Sequence, residues 1–205
     1  MNGKTVIKRI IKVCEEYGVK VSVISTATVF FRKIEKNYKD TENMENDMQP
    51  DDHGSKAREK LDIFSDEFLV GLIAVACKSN DIVMPSRIRK GYMPEKIAMM
   101  ESTIPTLFGF KMHIPCPFTR MLGLIICLCE HKIVELNVSS MFEKGAGNIK
   151  RILLDDNYMD YSVNEVAAAA LPIDCKYLSK LMVGELSCEN IEKIRKNNNV
   201  TVDCQ

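Results

Sequence analysis

The chain has 205 residues and a mass of 23.2 kDa, enough for one large domain or two small ones. Hydrophobic residues make up 46% and charged residues 27%, so a sizeable core can be buried and global disorder is excluded. Lys plus Arg number 28 and Asp plus Glu 28; this zero net charge disfavours a dedicated nucleic-acid binder, whose phosphate contacts need clustered excess cation.

Residues 5–17 set Val6, Ile10, Ile11, Val13 and Cys14 largely opposite Lys8, Arg9, Lys12, Glu15 and Glu16, the pattern of an amphipathic helix that Gly18 should end. A second helix is expected over about 22–39, with a stripe of Val23, Ile24, Ala27, Phe30, Phe31, Ile34 and Tyr38. Residues 40–60 lose the apolar period and carry Pro50 and Gly54, which reads as a polar insert without regular structure. Ser65 is placed to cap a third helix, and Asp66 and Glu67 suit the positive end of its dipole. Its run FLVGLIAVACK is apolar nearly all round, so this helix should be central. After a short connection marked by Pro85 and Pro94, residues 95–108 form a helix that Pro105 should kink or end. GFKMHIPCP is expected to be extended, and a fifth helix follows over about 118–131. Helices are then expected over 141–156, over a segment capped by Ser162 with Glu165 at capping-box spacing, and near 187–197. Small-residue helices at 23–31 and 162–171 each follow an amphipathic helix, which suggests two related all-α units, the second shorter.

Eight cysteines, at 14, 77, 116, 127, 129, 175, 188 and 204, show neither a C-x-x-C pair nor histidines at zinc-finger spacing. The N-terminus MNGKTVIKRIIKV interrupts its apolar positions with Lys and Arg, unlike a signal peptide. The cysteines are therefore expected to be reduced, metal-free and mostly buried. The longest apolar run, Met121 to Cys129, falls far short of the ~20 residues that span a bilayer. No phosphate loop, metal signature or nucleophile elbow is present, and His113 and His131 have no catalytic partner at interpretable spacing.

In order, VISTATVFFRKI, FLVGLIAVACK and MMESTIPTLFGFKMHIPCPF resemble the cyclin box, and IKRILLDDNYMDYSVNEVAAAAL resembles the start of a second one. The matching residues are Ala27, Lys78, Glu101, Phe108, Phe110 and Pro117, and the resemblance spans about residues 5–197. It implies an all-α fold of tandem cyclin-box repeats. The first box, 1–132, would hold five helices and the insert 40–60; the second, 133–205, would be shortened. There are departures: Ser79, Asn80 and Asp81 stand where many cyclins have two acidic residues, and Phe31 precedes Arg32 where cell-cycle cyclins place Asp.

The resemblance implies a non-catalytic subunit that binds and activates a cyclin-dependent protein kinase. It leans to the cyclin of the CDK-activating kinase associated with transcription factor IIH. Another transcription-type cyclin, C-, K- or T-like, is the alternative. The implied partners are the kinase, an assembly factor and transcription factor IIH, with no direct nucleic acid, membrane, metal or cofactor; the implied location is the nucleus. By the resemblance, Lys78 and Glu101 are the anchor pair for kinase main-chain groups, and Phe110 and Met112 meet the kinase C-helix. Ala74 and Val75, one turn before Lys78, would line the same groove. From the residues alone, Lys78 follows a packed run and should keep only its head in water. Glu101 shares a stripe with Ile97, Ile104 and Phe108, so its carboxylate needs a cation or donor nearby. A rival reading, a promoter-binding factor of the IIB type, expects basic repeats and a zinc ribbon, and the chain carries neither. A small helical enzyme finds no supporting motif.

Overall fold

A computed structural model describes residues 2–47, 62–131, 137–175, 177–178 and 186–202. Among these the protein is all-helical, with nine α-helices, one 3-10 turn and no strand. The contacts divide the chain into two compact units, Met1–His113 and Ile114–Gln205.

The first unit holds α1 (Gly3–Glu16), α2 (Val21–Asp47), α3 (Asp66–Ser79), the four-residue α4 (Ser86–Arg89) and α5 (Pro94–Leu107). Asn2 caps α1, and Gly18, with φ +64°, ends it by turning Val19 N–H back onto the Cys14 carbonyl at 2.7 Å. Ser65 caps α3 by accepting from Phe68 N–H at 3.1 Å, as its sequence suggests. Every residue from Phe68 to Cys77 is buried, and α3 packs against α1, α2 and α5. Phe30 of α2 stacks on Phe108 with ring centroids 4.9 Å apart. One expectation changes here. α2 runs on through residues 40–47, so the polar stretch begins as helix; residues 48–60 lie outside the described residues. Pro105 sits inside α5, which ends two residues later at Leu107.

The second unit holds α6 (Pro117–Glu130), α7 (Val138–Ile152), the 3-10 turn Tyr158–Asp160, α8 (Val163–Ala170) and α9 (Cys188–Asn198). α8 is its centre: Glu165 to Ala170 are buried, and α6, α7 and α9 all pack on it. The capping box is complete, with Ser162 Oγ accepting from Glu165 N–H at 3.2 Å and Glu165 Oε2 accepting from Ser162 N–H at 2.9 Å. The sequence reading attached α6 to the first unit and placed the boundary at 132/133. The contacts place it at 113/114, because α6, with Met121, Leu124, Ile125 and Leu128 buried, packs on α7 and α8.

The cysteine expectation also needs correction. Cys175 and Cys188 form a disulfide, with their Cα atoms 5.8 Å apart. Neither cysteine stands in a recognisable spacing; the fold brings the segment after α8 to the first residue of α9. Cys14, Cys77, Cys116, Cys127 and Cys129 are in no disulfide among the described residues, and Cys204 lies outside them.

Candidate functional site

α3 and α5 cross closely at Gly71, where even a methyl group would run into Met100 Cβ. This contact seats the two helices so that Lys78, at the end of α3, reaches Glu101, next to Met100 on α5. Lys78 Nζ donates to Glu101 Oε2 at 2.7 Å across 23 residues of sequence. A third residue joins them: Arg89 Nη2 donates to Glu101 Oε1, also at 2.7 Å. Both carboxylate oxygens are thus engaged by cations. The Glu101 side chain is 14% exposed, whereas Lys78 is 62% and Arg89 45% exposed. The acid is recessed and the two bases stand at the surface.

The trio carries two positive charges and one negative. Lys78 has three donors and Arg89 five, so both keep N–H groups beyond those spent on Glu101. The arrangement suits a partner that offers main-chain carbonyls or a carboxylate. Ordinary surface pairs are worth ~0–1 kcal/mol, so this trio matters more for what it presents than for what it stabilises.

The sequence leads to the expectation of a cation or donor beside Glu101, and the cyclin resemblance implies Lys78. Neither points to Arg89, which stands on a helix too short to show any period. The only local signal was the cluster Arg87, Arg89 and Lys90 just before Pro94.

The other expected site residues fall differently. Ala74 and Val75 are buried inside the first unit and line no open surface in the free chain. Phe110 and Met112, alternating with Gly109 and Lys111, were expected to point to one side of an extended segment. Phe110 lies instead in a tight turn in which Gly109 and Phe110 both have positive φ, +53° and +60°, and Lys111 N–H donates to the Phe108 carbonyl at 3.0 Å. Gly109 accepts that conformation freely, and Phe110 does not. Phe110 is 71% exposed, an unusual position for an aromatic residue. Met112 is half-buried in the extended segment beyond the turn. Val83, Met93, Met99 and Leu107 are further exposed apolar side chains of this unit.

Among the described residues no group of three His, Cys, Asp or Glu side chains could hold a metal ion, and no helix is long and apolar enough to cross a membrane. His113 and His131 are exposed. No family model matches the chain, and no curated protein matches it.

Proposed function

We propose that the chain is a regulatory cyclin-type subunit that binds and activates a cyclin-dependent protein kinase. The all-α fold is the feature that the structure shares with this reading; α6, which the resemblance assigns to the first box, packs in the second unit. The observation that carries the reading is the Lys78–Glu101 contact at 2.7 Å. The two residues that the cyclin resemblance singles out meet across two helices, with the acid recessed and the base exposed.

On this reading the protein does no chemistry. It offers the kinase a rigid helical face and fixes the kinase's C-helix, which completes the Lys–Glu pair needed for phosphoryl transfer. The energy for that shift comes from differential contact with the active arrangement. Lys78, Arg89 and Glu101 bind kinase main-chain groups, and Phe110 supplies an apolar contact beside them, flanked by Met112. Ala74 and Val75 support the face from beneath. Within the family the proposal is a compact cyclin H-like subunit of the CDK-activating kinase, nuclear, with an assembly factor and transcription factor IIH as further partners.

The test begins with affinity purification of the full chain and mass spectrometry of the bound kinase. Wild type, Lys78→Ala, Glu101→Ala and the double variant are then titrated against that kinase. Truncating a charged hydrogen-bonded group in a desolvated interface costs about 2–5 kcal/mol, so each single change should weaken binding roughly 30- to 4,000-fold while helical circular dichroism is kept. The double change should cost less than the sum. Recovery of no kinase, or variants that bind and activate like wild type, would sink the reading.

A further inference from the structure

The Cys175–Cys188 disulfide joins two sulfurs in unlike surroundings. Cys175 is buried, just after the end of α8. Cys188 is exposed and is the first residue of α9, where Ser187 serves as the cap and accepts from Asn190 N–H at 3.2 Å. Its sulfur therefore lies at the end of an eleven-residue helix whose free N–H groups favour a thiolate.

A second tie holds the same two segments together. Arg195, buried on α9, donates from Nη2 to the carbonyls of Leu171 at 2.9 Å and Ile173 at 2.5 Å, and from Nε to the Ala169 carbonyl at 3.3 Å. The exit of α8 is thus fastened twice to α9, covalently near the first residue of the helix and by a guanidinium two turns later. The two buried thiols of the first unit differ. Burial pushes Cys14 up to about 12 and Cys77 up to about 11, and neither belongs to a bonded pair.

We propose that the Cys175–Cys188 bond is a reversible thiol-exchange clasp, opened by small-molecule thiols of the glutathione class through attack at the exposed Cys188 sulfur. A thiolate RS⁻ bonds to Cys188 Sγ, the Sγ–Sγ bond breaks, and Cys175 leaves as a thiolate that takes up a proton. A second thiolate attacks the R sulfur of the mixed disulfide, giving RSSR and releasing Cys188 as a thiolate at the α9 terminus. The protein gains two electrons and one proton, with a second proton taken up when the Cys188 thiolate is protonated, and two RS⁻ become one RSSR. Opening removes the covalent tie and leaves Arg195 in place, so the unit loosens at the exit of α8 without unfolding. This device is independent of the proposed kinase partnership.

The experiment uses the full chain, air-oxidised, then equilibrated under native conditions in reduced and oxidised glutathione. Samples are quenched by alkylation and peptide-mapped, and melted in parallel. The two thiols should appear together at residues 175 and 188, with helical circular dichroism retained. Closing a loop between residues 13 apart predicts that reduction raises the unfolding equilibrium constant on the order of 100-fold, with a melting midpoint lower by several degrees. Cys175→Ser should trap a glutathione adduct on Cys188, and Cys188→Ser should carry none at 175. Both variants should melt like the reduced wild type, with or without reductant. A bond that yields only after denaturation overturns the proposal, as does an unchanged midpoint, loss of helicity on reduction of the wild type, or a Cys175→Ser protein without an adduct at 188.

Discussion

Glu101 is gripped at both oxygens, and this makes Arg89 as informative as Lys78. Both bases are well exposed, so solvent screens their attraction to the acid and little stability is at stake. Arg89→Ala should therefore move the melting midpoint by no more than a degree or two. If the trio is the docking point, the same change should weaken partner binding at least tenfold; a thermal melt and a titration on one preparation separate the two effects. Phe110 adds a contrast. Its positive φ costs of order 1 kcal/mol or more for a bulky side chain, and its ring buries little in return. Phe110→Gly should hold or raise the melting midpoint while partner affinity falls, and a destabilised variant would show that the ring belongs to the fold. Lys78 and Glu101 were legible because the cyclin resemblance implies them as a pair; their own types and positions imply only a helix-end charge and a carboxylate that needs a cation or donor. Arg89 and the turn at Phe110 were not, since a four-residue helix has no period and a left-handed Phe is disfavoured by every local rule.

Helix contacts follow the same logic at a larger scale. Gly71 and Gly145 both sit where a Cβ would meet a methionine, yet the two sites should respond differently. At Gly71 the obstacle is Met100 Cβ, fixed to the α5 backbone, so a methyl group must push the helices apart. Overpacking costs about 1–3 kcal/mol and outweighs the ~1 kcal/mol that Ala gains over Gly in a helix. At Gly145 the first obstacle is the sulfur of Met121, the mobile end of a flexible side chain. Gly71→Ala should therefore lower stability clearly, and Gly145→Ala should be near neutral, by denaturant titration of both. The order would reverse only if α5 moved more easily than one thioether.

The α8 capping box has a pH signature as well. Burial alone would raise the Glu165 carboxyl, but hydrogen bonds from Asn190 and Ser162 outweigh it and hold the group below the ordinary carboxylate value. A depressed folded value means stability that is present above the unfolded carboxylate value and lost as pH falls through the folded one. Acid titration of wild type and Glu165→Gln should show wild type losing more stability below about pH 4, with the two curves converging at low pH. The sequence displayed this box because Ser162 and Glu165 are three residues apart; Asn190, 25 residues further on, joins only through the fold.

Over the whole molecule, most helices could be read from apolar period and caps, while their grouping could not. The apolar period of α6 suits the core of either unit, and nothing in that period says which one it fills. Its packing on α7 and α8 moves the boundary from 132/133 to 113/114 and leaves each unit with a separate centre, α3 in one and α8 in the other. Units with separate cores need not unfold as one. Gly71→Ala strikes the first core at the α3–α5 crossing. Arg195→Met strikes the second: it removes a buried guanidinium and leaves the Leu171 and Ile173 carbonyls without that donor, a loss of about 3 kcal/mol. Lysine there should restore only part, because an ammonium cannot fork across several carbonyls as a guanidinium does. Hydrogen exchange read by mass spectrometry on intact chains should then show faster exchange in peptides of residues 3–107 for Gly71→Ala and of residues 117–198 for Arg195→Met. Acceleration spread evenly over both ranges by either change would mean one cooperative unit. The boundary at 113/114 would then divide the contacts without dividing the stability.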